Sequence, residues 1–388
     1  MLDEKQLWQA CSDGKVEKVQ NLLQNLQINI NKANNDGWAP FHVACSEGQI
    51  EIVKLLLNNQ RVDINTANKD GKTPFYISCE NGHIEIVKVL LNDHRVDINK
   101  ASNNGETPLY VACGKGFIEV VKLLLNDKRV DINRPNNNNG VTPFYIACEK
   151  GYIEIVRLLL NDERVDINKA DKNGQTPFFI ACKNGLIEVA KYLLVCGREI
   201  DINKKNNDGK PAIDIARERG NEEKKDWENE KDFENRKRNY LKIIELIESF
   251  QLLNSASNGD INKFIKYFED ENIDANWKSI EFKETSLFIA CKNGRLEIVE
   301  YMLASKRELD ILSKDHQGIL SLEIAKINSE LQEKLSHEKK EIEVQQRQNN
   351  CLSIYNLLQE YQFDPKKVKR QLRNKLNLKG INMILFLY

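Results

Sequence analysis

Residues 68–99 read Asn-Lys-Asp-Gly-Lys-Thr-Pro-Phe-Tyr-Ile-Ser-Cys-Glu-Asn-Gly-His-Ile-Glu-Ile-Val-Lys-Val-Leu-Leu-Asn-Asp-His-Arg-Val-Asp-Ile-Asn, and they hold the signals for one helix–turn–helix unit. Gly71 indicates a tight turn, because glycine adopts a positive φ without steric cost. Thr73 and Pro74 predict a helix start, where the hydroxyl accepts a free N–H and proline loses no hydrogen bond. Gly82 predicts the end of that helix in the left-handed conformation.

The second half of this stretch predicts a second helix with one apolar face. Ile84, Val87, Leu90 and Leu91 recur at i, i+3, i+6 and i+7, which places them on one side of a helix. A pair of short helices cannot bury such a face without a neighbour. The sequence therefore predicts copies of the unit stacked on either side.

The copies are present at a period of 34 or 35 residues. The turn glycines are Gly37, Gly71, Gly105, Gly140, Gly174 and Gly209. The glycines that end each first helix are Gly14, Gly48, Gly82, Gly116, Gly151, Gly185 and Gly220. Six of the eight prolines begin a first helix, namely Pro40, Pro74, Pro108, Pro143, Pro177 and Pro211.

A turn and two helices repeated at this period resemble the ankyrin repeat. The Thr-Pro-Leu-His box of that family corresponds here to Thr73–Tyr76, Thr107–Tyr110, Thr142–Tyr145 and Thr176–Phe179. The family's loop ending in Asp-Val-Asn corresponds to Val62–Asn65, Val96–Asn99, Val130–Asn133 and Val165–Asn168. The resemblance implies an all-α ankyrin-repeat solenoid, built from helix–turn–helix repeats that are joined by β-turn or hairpin loops.

The chain departs from the family at the histidine of the box. In ankyrin repeats this histidine ties neighbouring loops by hydrogen bonds, but here most copies have Tyr or Phe in its place. His42 keeps the histidine, although Ala39 replaces the threonine of that copy. We expect aromatic packing to contribute more to this stack than the polar network of the family.

The composition predicts a soluble intracellular protein. The 388 residues have a formal net charge of −1, which argues against nucleic-acid binding by the chain as a whole. No apolar run approaches the ~18–20 residues that span a bilayer, so we expect no transmembrane segment. The start, Met1–Gln6, lacks the basic and then apolar order of a signal peptide. We expect a cytoplasmic monomer, with the nucleus as the alternative compartment.

The cysteines follow the repeat period, which indicates packing rather than chemistry. Packed helices lie ~8–10 Å apart, whereas a disulfide needs Cα atoms within ~7 Å, so neighbouring repeats should not be bridged. No C-x-x-C pair is present, which disfavours zinc. We expect small buried hydrophobes in a reducing compartment. The cysteines in this register are Cys11, Cys45, Cys79, Cys113, Cys148, Cys182 and Cys291.

The repeats divide the chain into a long array, a short degenerate array and a tail. The long array covers residues 1–250 and carries a charged insert at 221–239. The second array, 251–361, begins with the same pattern at a constant offset of 245 and carries its own charged insert at 328–350. The tail covers residues 362–388. We interpret the first insert as a solvated helical extension or loop, with a docking site as the alternative.

The tail sequence predicts a short basic amphipathic helix followed by an apolar end. Val368, Leu372 and Leu376 recur at i, i+4 and i+8, and residues 381–388 are apolar but too short to span a membrane. Three interpretations stay open: a helix packed on the last repeat, a nuclear-import signal, or a helix that binds a partner or an anionic membrane. The basic residues are Lys366, Lys367, Lys369, Arg370, Arg373 and Lys375.

The sequence contains no catalytic motif. It lacks the phosphate-binding patterns G-x-x-x-x-G-K-S/T and G-x-G-x-x-G, the zinc pattern H-E-x-x-H and the nucleophile pattern G-x-S-x-G. Residues 114–116 read Gly-Lys-Gly, but they end a first helix instead of joining a strand to a helix. We expect no enzymatic activity, no cofactor, no metal and no small-molecule substrate.

An ankyrin-like stack implies a concave surface made of loop tips and the exposed side of each first helix. Positions whose side chains are fixed by packing stay the same in every copy. Other positions on this surface differ from copy to copy, and we expect these to contact a partner. Trp38 is the best single anchor, since aromatic hot spots contribute about 2 kcal/mol or more, and packing on the adjacent loop is its alternative role. The positions predicted for partner binding are Trp38, Glu47, Lys69, Lys72, Glu80, Asn81, Glu106, Lys115, Val141, Glu149, Lys150, Gln175 and Lys183.

These features predict a non-enzymatic scaffold or adaptor that binds a protein partner along the concave groove. The identity of that partner is not encoded in the repeat pattern. The alternative is a regulatory or targeting protein that acts through its basic C-terminal helix, with the repeats as a spacer. In that case the helix serves nuclear import or binds an acidic partner or a membrane surface.

Overall fold

The computed structural model describes residues 2–196, 198–270, 273–279, 283–305, 307–330 and 338–378. Within these ranges the regular elements are α-helices, and the loops add two isolated antiparallel bridges, Lys278 with Thr285 and Lys314 with Leu320. The chain forms two compact units, residues 1–240 and 241–388. The boundary at residue 250 stays a prediction from sequence, and it falls inside a helix.

The first unit alternates between two layers of short helices. Its first-helix layer contains α1 (Leu2–Ser12), α3 (Pro40–Ser46), α5 (Pro74–Glu80), α7 (Pro108–Lys115), α9 (Pro143–Lys150), α11 (Pro177–Lys183) and α13 (Ala212–Asn221). Its second-helix layer contains α2 (Val16–Gln24), α4 (Ile50–Asn58), α6 (Ile84–Leu91), α8 (Ile118–Asn126), α10 (Ile153–Leu160) and α12 (Ile187–Val195). Helix α14 (Glu230–Asn258) begins in this unit.

Each helix packs on the helix of the same layer in the next repeat. The contacts join α1 to α3, α3 to α5 and onward to α13, and likewise α2 to α4 and onward to α12. The core lies between the two layers, where Phe75 of one layer and Val87 and Leu90 of the other are almost fully buried. Each repeat therefore buries apolar faces against its neighbours. The prediction is wrong for Ile84, which is 36% exposed at the start of its helix, whereas Ile86 is buried.

Threonine and proline start the first helices as expected. The Thr73 hydroxyl accepts the Tyr76 N–H at 3.2 Å, and Thr107, Thr142 and Thr176 cap their helices in the same way. The second repeat has no hydroxyl at Ala39. There the His42 Nδ1 atom accepts the Ala39 N–H at 3.2 Å, which satisfies a different donor from the one that the threonines cap.

Glycine is required at the turns and helix ends by conformation and by space. Gly71 has φ of 79°, and a Cβ atom there would lie 2.6 Å from the backbone nitrogen of Asn103 in the next loop. Gly82 has φ of 74°, and its Cβ would lie 2.8 Å from the Phe117 ring of the next repeat. Neighbouring repeats thus approach one another over the glycine backbone, where any larger residue would separate them.

Asparagine side chains form a hydrogen-bond ladder between successive loops. The Asn99 side-chain amide donates to the Arg129 carbonyl at 2.7 Å, and its oxygen accepts the Asp131 N–H at 2.8 Å. Both partners belong to the next repeat. The asparagines that make the same pair of bonds are Asn31, Asn65, Asn133, Asn168 and, in the second unit, Asn276.

The residues in the box-histidine position retain a polar link between loops. His42 Nε2 lies 3.2 Å from the Lys72 carbonyl of the next repeat. The Tyr76 hydroxyl donates to the Glu106 carboxylate at 3.2 Å, and the Tyr145 hydroxyl donates to the Asp171 carboxylate at 3.4 Å. Where tyrosine is present, its hydroxyl therefore reaches the neighbouring loop and keeps a polar link. The larger contribution of aromatic packing stays a prediction.

The predicted burial of the periodic cysteines is confirmed. All seven are buried, and burial raises the pKa of the Cys45 thiol to about 12. A thiol with such a pKa stays protonated at neutral pH and behaves as a small hydrophobe.

The second unit repeats the two-layer arrangement over fewer repeats. Its helices after α14 are α15 (Ile261–Phe268), α16 (Ser286–Lys292), α17 (Leu296–Ala304), α18 (Ser321–Glu330), α19 (Glu338–Phe363) and α20 (Pro365–Leu378). Thr285 still caps α16 through the Phe288 N–H, although serine replaces the proline at the first helical position. Phe264, Phe268 and Tyr301 stack at the centre of its core.

Replacing each of two turn glycines with alanine separates the free-energy cost of backbone strain from the cost of steric overlap. Gly209 has the same φ as Gly71 within a few degrees, but nothing lies within 4 Å of its added Cβ. We expect Gly209→Ala to cost about 1 kcal/mol for the left-handed conformation. Gly71→Ala should cost roughly 1–3 kcal/mol more, because its Cβ overlaps Asn103. Urea denaturation measures both, and equal losses would contradict the role given to the contact.

The buried histidine makes stability depend on pH. Burial lowers the pKa of His42 to about 4, whereas an unfolded histidine titrates near ~6.5. The unfolded state therefore takes up the proton first, and stability falls as the pH drops from about 6.5 towards 4. At pH 5 we expect a loss of about 2 kcal/mol. His42→Tyr, which matches the next three repeats, should remove this part of the pH dependence; an unchanged urea-denaturation profile between pH 7 and 5 would contradict it.

Candidate functional site

The positions predicted for partner binding lie around the two ends of each first helix. Most of them follow the turn glycine or precede the helix-ending glycine, and Lys69 lies two residues before its turn glycine. We name these positions in residues 34–220 the first-helix surface. Glu47, Lys69, Asn81, Lys115 and Lys150 are exposed on it. The structure thus places these five side chains where a partner can reach them.

Val141 does not belong to this surface. It is 4% exposed, and its N–H and carbonyl are both bonded to Asn136 within the loop. A β-branched apolar side chain at this turn position folds under the loop, whereas lysine, glutamate or glutamine remain partly exposed there. The prediction of a partner contact at Val141 is wrong.

Trp38 is partly buried by the N-terminal repeat. Its carbonyl accepts the Trp8 indole N–H at 3.2 Å, and its ring centroid lies 6.1 Å from that of His42. Sequence reasoning missed Trp8, which lines a cavity of about 870 Å³ with Lys5 and Asp36. The signal available in the sequence was an aromatic residue in the first helix of a terminal repeat.

Several positions of the first-helix surface pair within their own repeat. Lys72 Nζ lies 2.8 and 3.0 Å from the two carboxylate oxygens of Glu80, eight residues further on. The same spacing joins Lys183 to Gln175 at 3.3 Å, Lys210 to Glu218 at 2.5 Å and Lys292 to Glu284 at 2.8 Å. Part of the variation between copies is therefore explained by side chains that pair with each other within one repeat. Such half-exposed pairs contribute about 0–1 kcal/mol each.

The residue before the helix-ending glycine forms an exposed row with changing chemistry. This row contains Glu47, Asn81, Lys115, Lys150 and Asn184 in five successive repeats. The two asparagines donate to carbonyls of the preceding repeat, at Ser46 and Glu149. In the part of the chain that the structure describes, the three charged members make no ion pair. These charges are available to a partner.

The first charged insert is a folded extension. Its Arg236 guanidinium binds both oxygens of the buried Glu228 carboxylate at 2.8 and 2.9 Å, and it also donates to the carbonyls of Arg219 and Glu223. This contact holds the pKa of Glu228 below its usual range. Trp227, which directly precedes Glu228, is 80% exposed. Residues 331–337 of the second insert lie outside the described residues.

The basic tail helix is packed into the second unit. Helix α20 contacts α17 and α19, and Val368, Leu372 and Leu376 are all buried. Arg373 donates to the Ala304 carbonyl at 2.8 Å, and Lys375 pairs with the buried Glu300. Of the three interpretations of the tail, this packing on α17 and α19 agrees with the helix packed on the repeats.

Only part of the predicted basic surface of the tail is free for other contacts. Lys366, Lys367 and Arg370 are exposed, and Lys369 is partly buried, which lowers its pKa. The predicted apolar end, residues 381–388, lies outside the described residues.

The described residues offer neither a metal cluster nor a membrane span. No three His, Cys, Asp or Glu side chains among them come together as metal ligands. None of their helices is both long and apolar enough to cross a bilayer.

Comparison with known families identifies the repeat. The family model of ankyrin repeats, which spans three copies, matches five overlapping stretches: residues 7–102, 61–136, 94–171, 129–206 and 163–224. Together they cover more than half of the chain. The chain therefore belongs to the ankyrin repeat family, and the predicted all-α ankyrin-repeat solenoid is confirmed. Ankyrin repeats are generally protein–protein interaction modules.

A solved structure shows the same fold. The crystal structure of the ankyrin repeat domain of Bcl-3, described as a unique member of the IkappaB protein family, is 24% identical with a TM-score of 0.50. The match covers 54% of this chain and 92% of that domain. At this identity the likeness establishes the fold alone. No curated protein matches the chain.

The Glu300–Lys375 pair should hold the tail helix in place. Glu300 is 3% exposed, so Lys375→Met leaves its charge buried without a partner. We expect a loss of about 2 kcal/mol, at the lower side of values for broken buried pairs because Lys375 is half exposed. The double variant Glu300→Gln with Lys375→Met should recover most of the loss in urea denaturation. A single variant as stable as the original chain would contradict the role of this pair.

Proposed function

We propose that this chain is a non-enzymatic scaffold or adaptor that binds a protein partner along its first-helix surface. The family implies that this surface lines a concave groove. The observation that carries the proposal is the exposed row before the helix-ending glycines. The same backbone position presents an acid, an amide and two bases in successive repeats, from Glu47 to Lys150.

The frame beneath that row is preorganised for binding. Buried helices, the asparagine ladder and the loop-to-loop bonds of Tyr76 and Tyr145 hold each repeat against the next. A partner that binds a rigid surface does not have to order it, so less binding free energy is lost to conformational entropy. Charged side chains on such a frame favour specificity and the rate of association.

The alternative function through the tail has less support. The apolar face of α20 is buried against its own unit, so the helix would have to leave that site before it could bind a membrane or a partner groove. Nuclear import through the exposed Lys366, Lys367 and Arg370 stays the alternative to the cytoplasm, where we place the protein. We expect a monomer.

Charge reversal in the exposed row tests the proposal. The triple variant Glu47→Lys, Lys115→Glu and Lys150→Glu changes the chemistry of the surface without touching a buried residue. Affinity capture from the source cell with quantitative mass spectrometry should show a loss of at least about tenfold in retained partner, equivalent to ~1.4 kcal/mol.

A matched variant on the second helices controls for net charge. Glu51→Lys, Lys122→Glu and Arg157→Glu change the total charge by the same amount at exposed sites of the other layer. This control should retain the partner. Equal retention by both variants would contradict binding at the first-helix surface, and a wild-type chain that retains no protein would contradict the scaffold function itself.

A further inference from the structure

The fourth repeat differs from its neighbours on the first-helix surface. Ser102 occupies the loop position that is Asn68 in the third repeat and Asn136 in the fifth, where the side chain accepts loop N–H groups. The Ser102 hydroxyl is 7% exposed and has no hydrogen-bond partner among the described residues. Its N–H donates to the Glu106 carbonyl at 3.0 Å, which places this buried hydroxyl in the same turn as Glu106.

The carboxylates of Glu106 and Glu149 lack the cation that other repeats supply. The internal pairs join the position after the turn glycine to the position eight residues later. In the fourth repeat Glu106 faces Gly114, which has no side chain, and in the fifth repeat Glu149 faces the apolar Val141. Among the described side chains, neither carboxylate has a basic nitrogen within ion-pair distance.

An aromatic ring is more exposed in the fourth repeat than in its neighbours. Tyr110 lies one helical turn before Gly114 and is partly exposed, whereas Tyr76, Tyr145 and Phe179 in the same position are at most 2% exposed. Burial, together with the charges of the Glu106 and Glu149 carboxylates, raises the pKa of Tyr110 to about 12. Both carboxylates therefore act on the same phenol.

The third repeat shows what completes this arrangement. There Lys72 Nζ binds the Glu80 carboxylate and lies 5.4 Å from the centroid of the Tyr76 ring. A cation thus sits between an aromatic face and a carboxylate. In the fourth repeat the aromatic ring and the carboxylates are present, but Glu106 stands where the lysine was and no internal cation takes its place.

We propose that the Tyr110 notch, formed by Glu106, Tyr110, Gly114 and Glu149, receives a basic side chain of the protein partner. The inference rests on the proposed function and names the chemistry at one point of that surface. Two carboxylates provide charge-assisted acceptors, and a tyrosine face adds a cation–π contact, which together suit a guanidinium best. Lys115 and Lys150 beside the notch would meet acidic residues that flank that side chain.

A basic peptide tests the notch directly. The probe is fluorescein-labelled nona-arginine, titrated with the full chain and followed by fluorescence anisotropy at about 0.15 M salt, where long-range attraction is screened. The variant Glu106→Gln with Glu149→Gln keeps the shape of the site. We expect its dissociation constant to rise about tenfold, since two charge-assisted bonds are weakened.

Two further variants make the test specific. Glu119→Gln with Glu154→Gln removes the same charge from exposed sites on α8 and α10, and its affinity should change less than about twofold. Gly114→Lys supplies an internal cation next to Glu106, as Lys72 does for Glu80, and should weaken the probe as much as the double variant. Thermal unfolding followed by circular dichroism confirms that each variant is folded.

The outcomes separate this inference from the proposed function. Unchanged affinity in the Glu106 and Glu149 double variant, or an equal loss in the α8 and α10 control, overturns the notch. If the cellular partner is still lost on reversal of Glu47, Lys115 and Lys150, the scaffold function stands without the notch. If the triple variant retains the partner and the Glu106 and Glu149 double variant retains the peptide, both proposals fail.

Discussion

No repeat of this chain can bury its own apolar faces, and the whole structure follows from that constraint. The two helices of a typical repeat have seven to nine residues, such as Pro74–Glu80 and Ile50–Asn58. Isolated helices below ~12–15 residues are marginal in water. Their stability therefore comes from stacking, and stacking requires close approach. At Gly71 and Gly82 the next repeat lies where a Cβ would be, so glycine is the residue that permits both the turn and the contact.

The same stacking divides the residues of each repeat into frame and surface. Buried helices, threonine caps and the asparagine ladder leave few side chains on the first-helix surface free to differ. Some of those are already used, as in the Lys72–Glu80 pair. We therefore expect binding information to be concentrated where the repeat departs from its own pattern: the exposed charges at Glu47, Lys115 and Lys150, and the partly exposed ring at Tyr110.

Periodicity in the sequence was enough to predict the helices of the regular repeats, their caps and most of their buried positions, although Ile86 is buried where Ile84 was expected. Thr73, Gly82 and the cysteine row behave as expected because each role depends on residues within one repeat or on burial alone. Sequence reasoning missed the bonds from Asn99 to the next loop and the link from Tyr76 to Glu106, since their partners lie some 30 residues away. It also misassigned Val141, because a turn position can be covered or open depending on the side chain.

The sequence by itself determined that this chain is a stack of helix pairs, where the helices of the regular repeats begin and end, and that no repeat carries a catalytic motif. These properties follow from local rules for glycine, proline, threonine and apolar spacing. Only the tertiary structure decided which variable side chains are satisfied internally and which are left for a partner. That distinction depends on contacts in the folded repeat: Lys72 binds Glu80 and lies over the Tyr76 ring, whereas among the described side chains no cation lies within ion-pair distance of Glu106 or Glu149. The satisfied and the unsatisfied side chains differ in their distances in space, and the spacing of residues along the chain does not encode those distances.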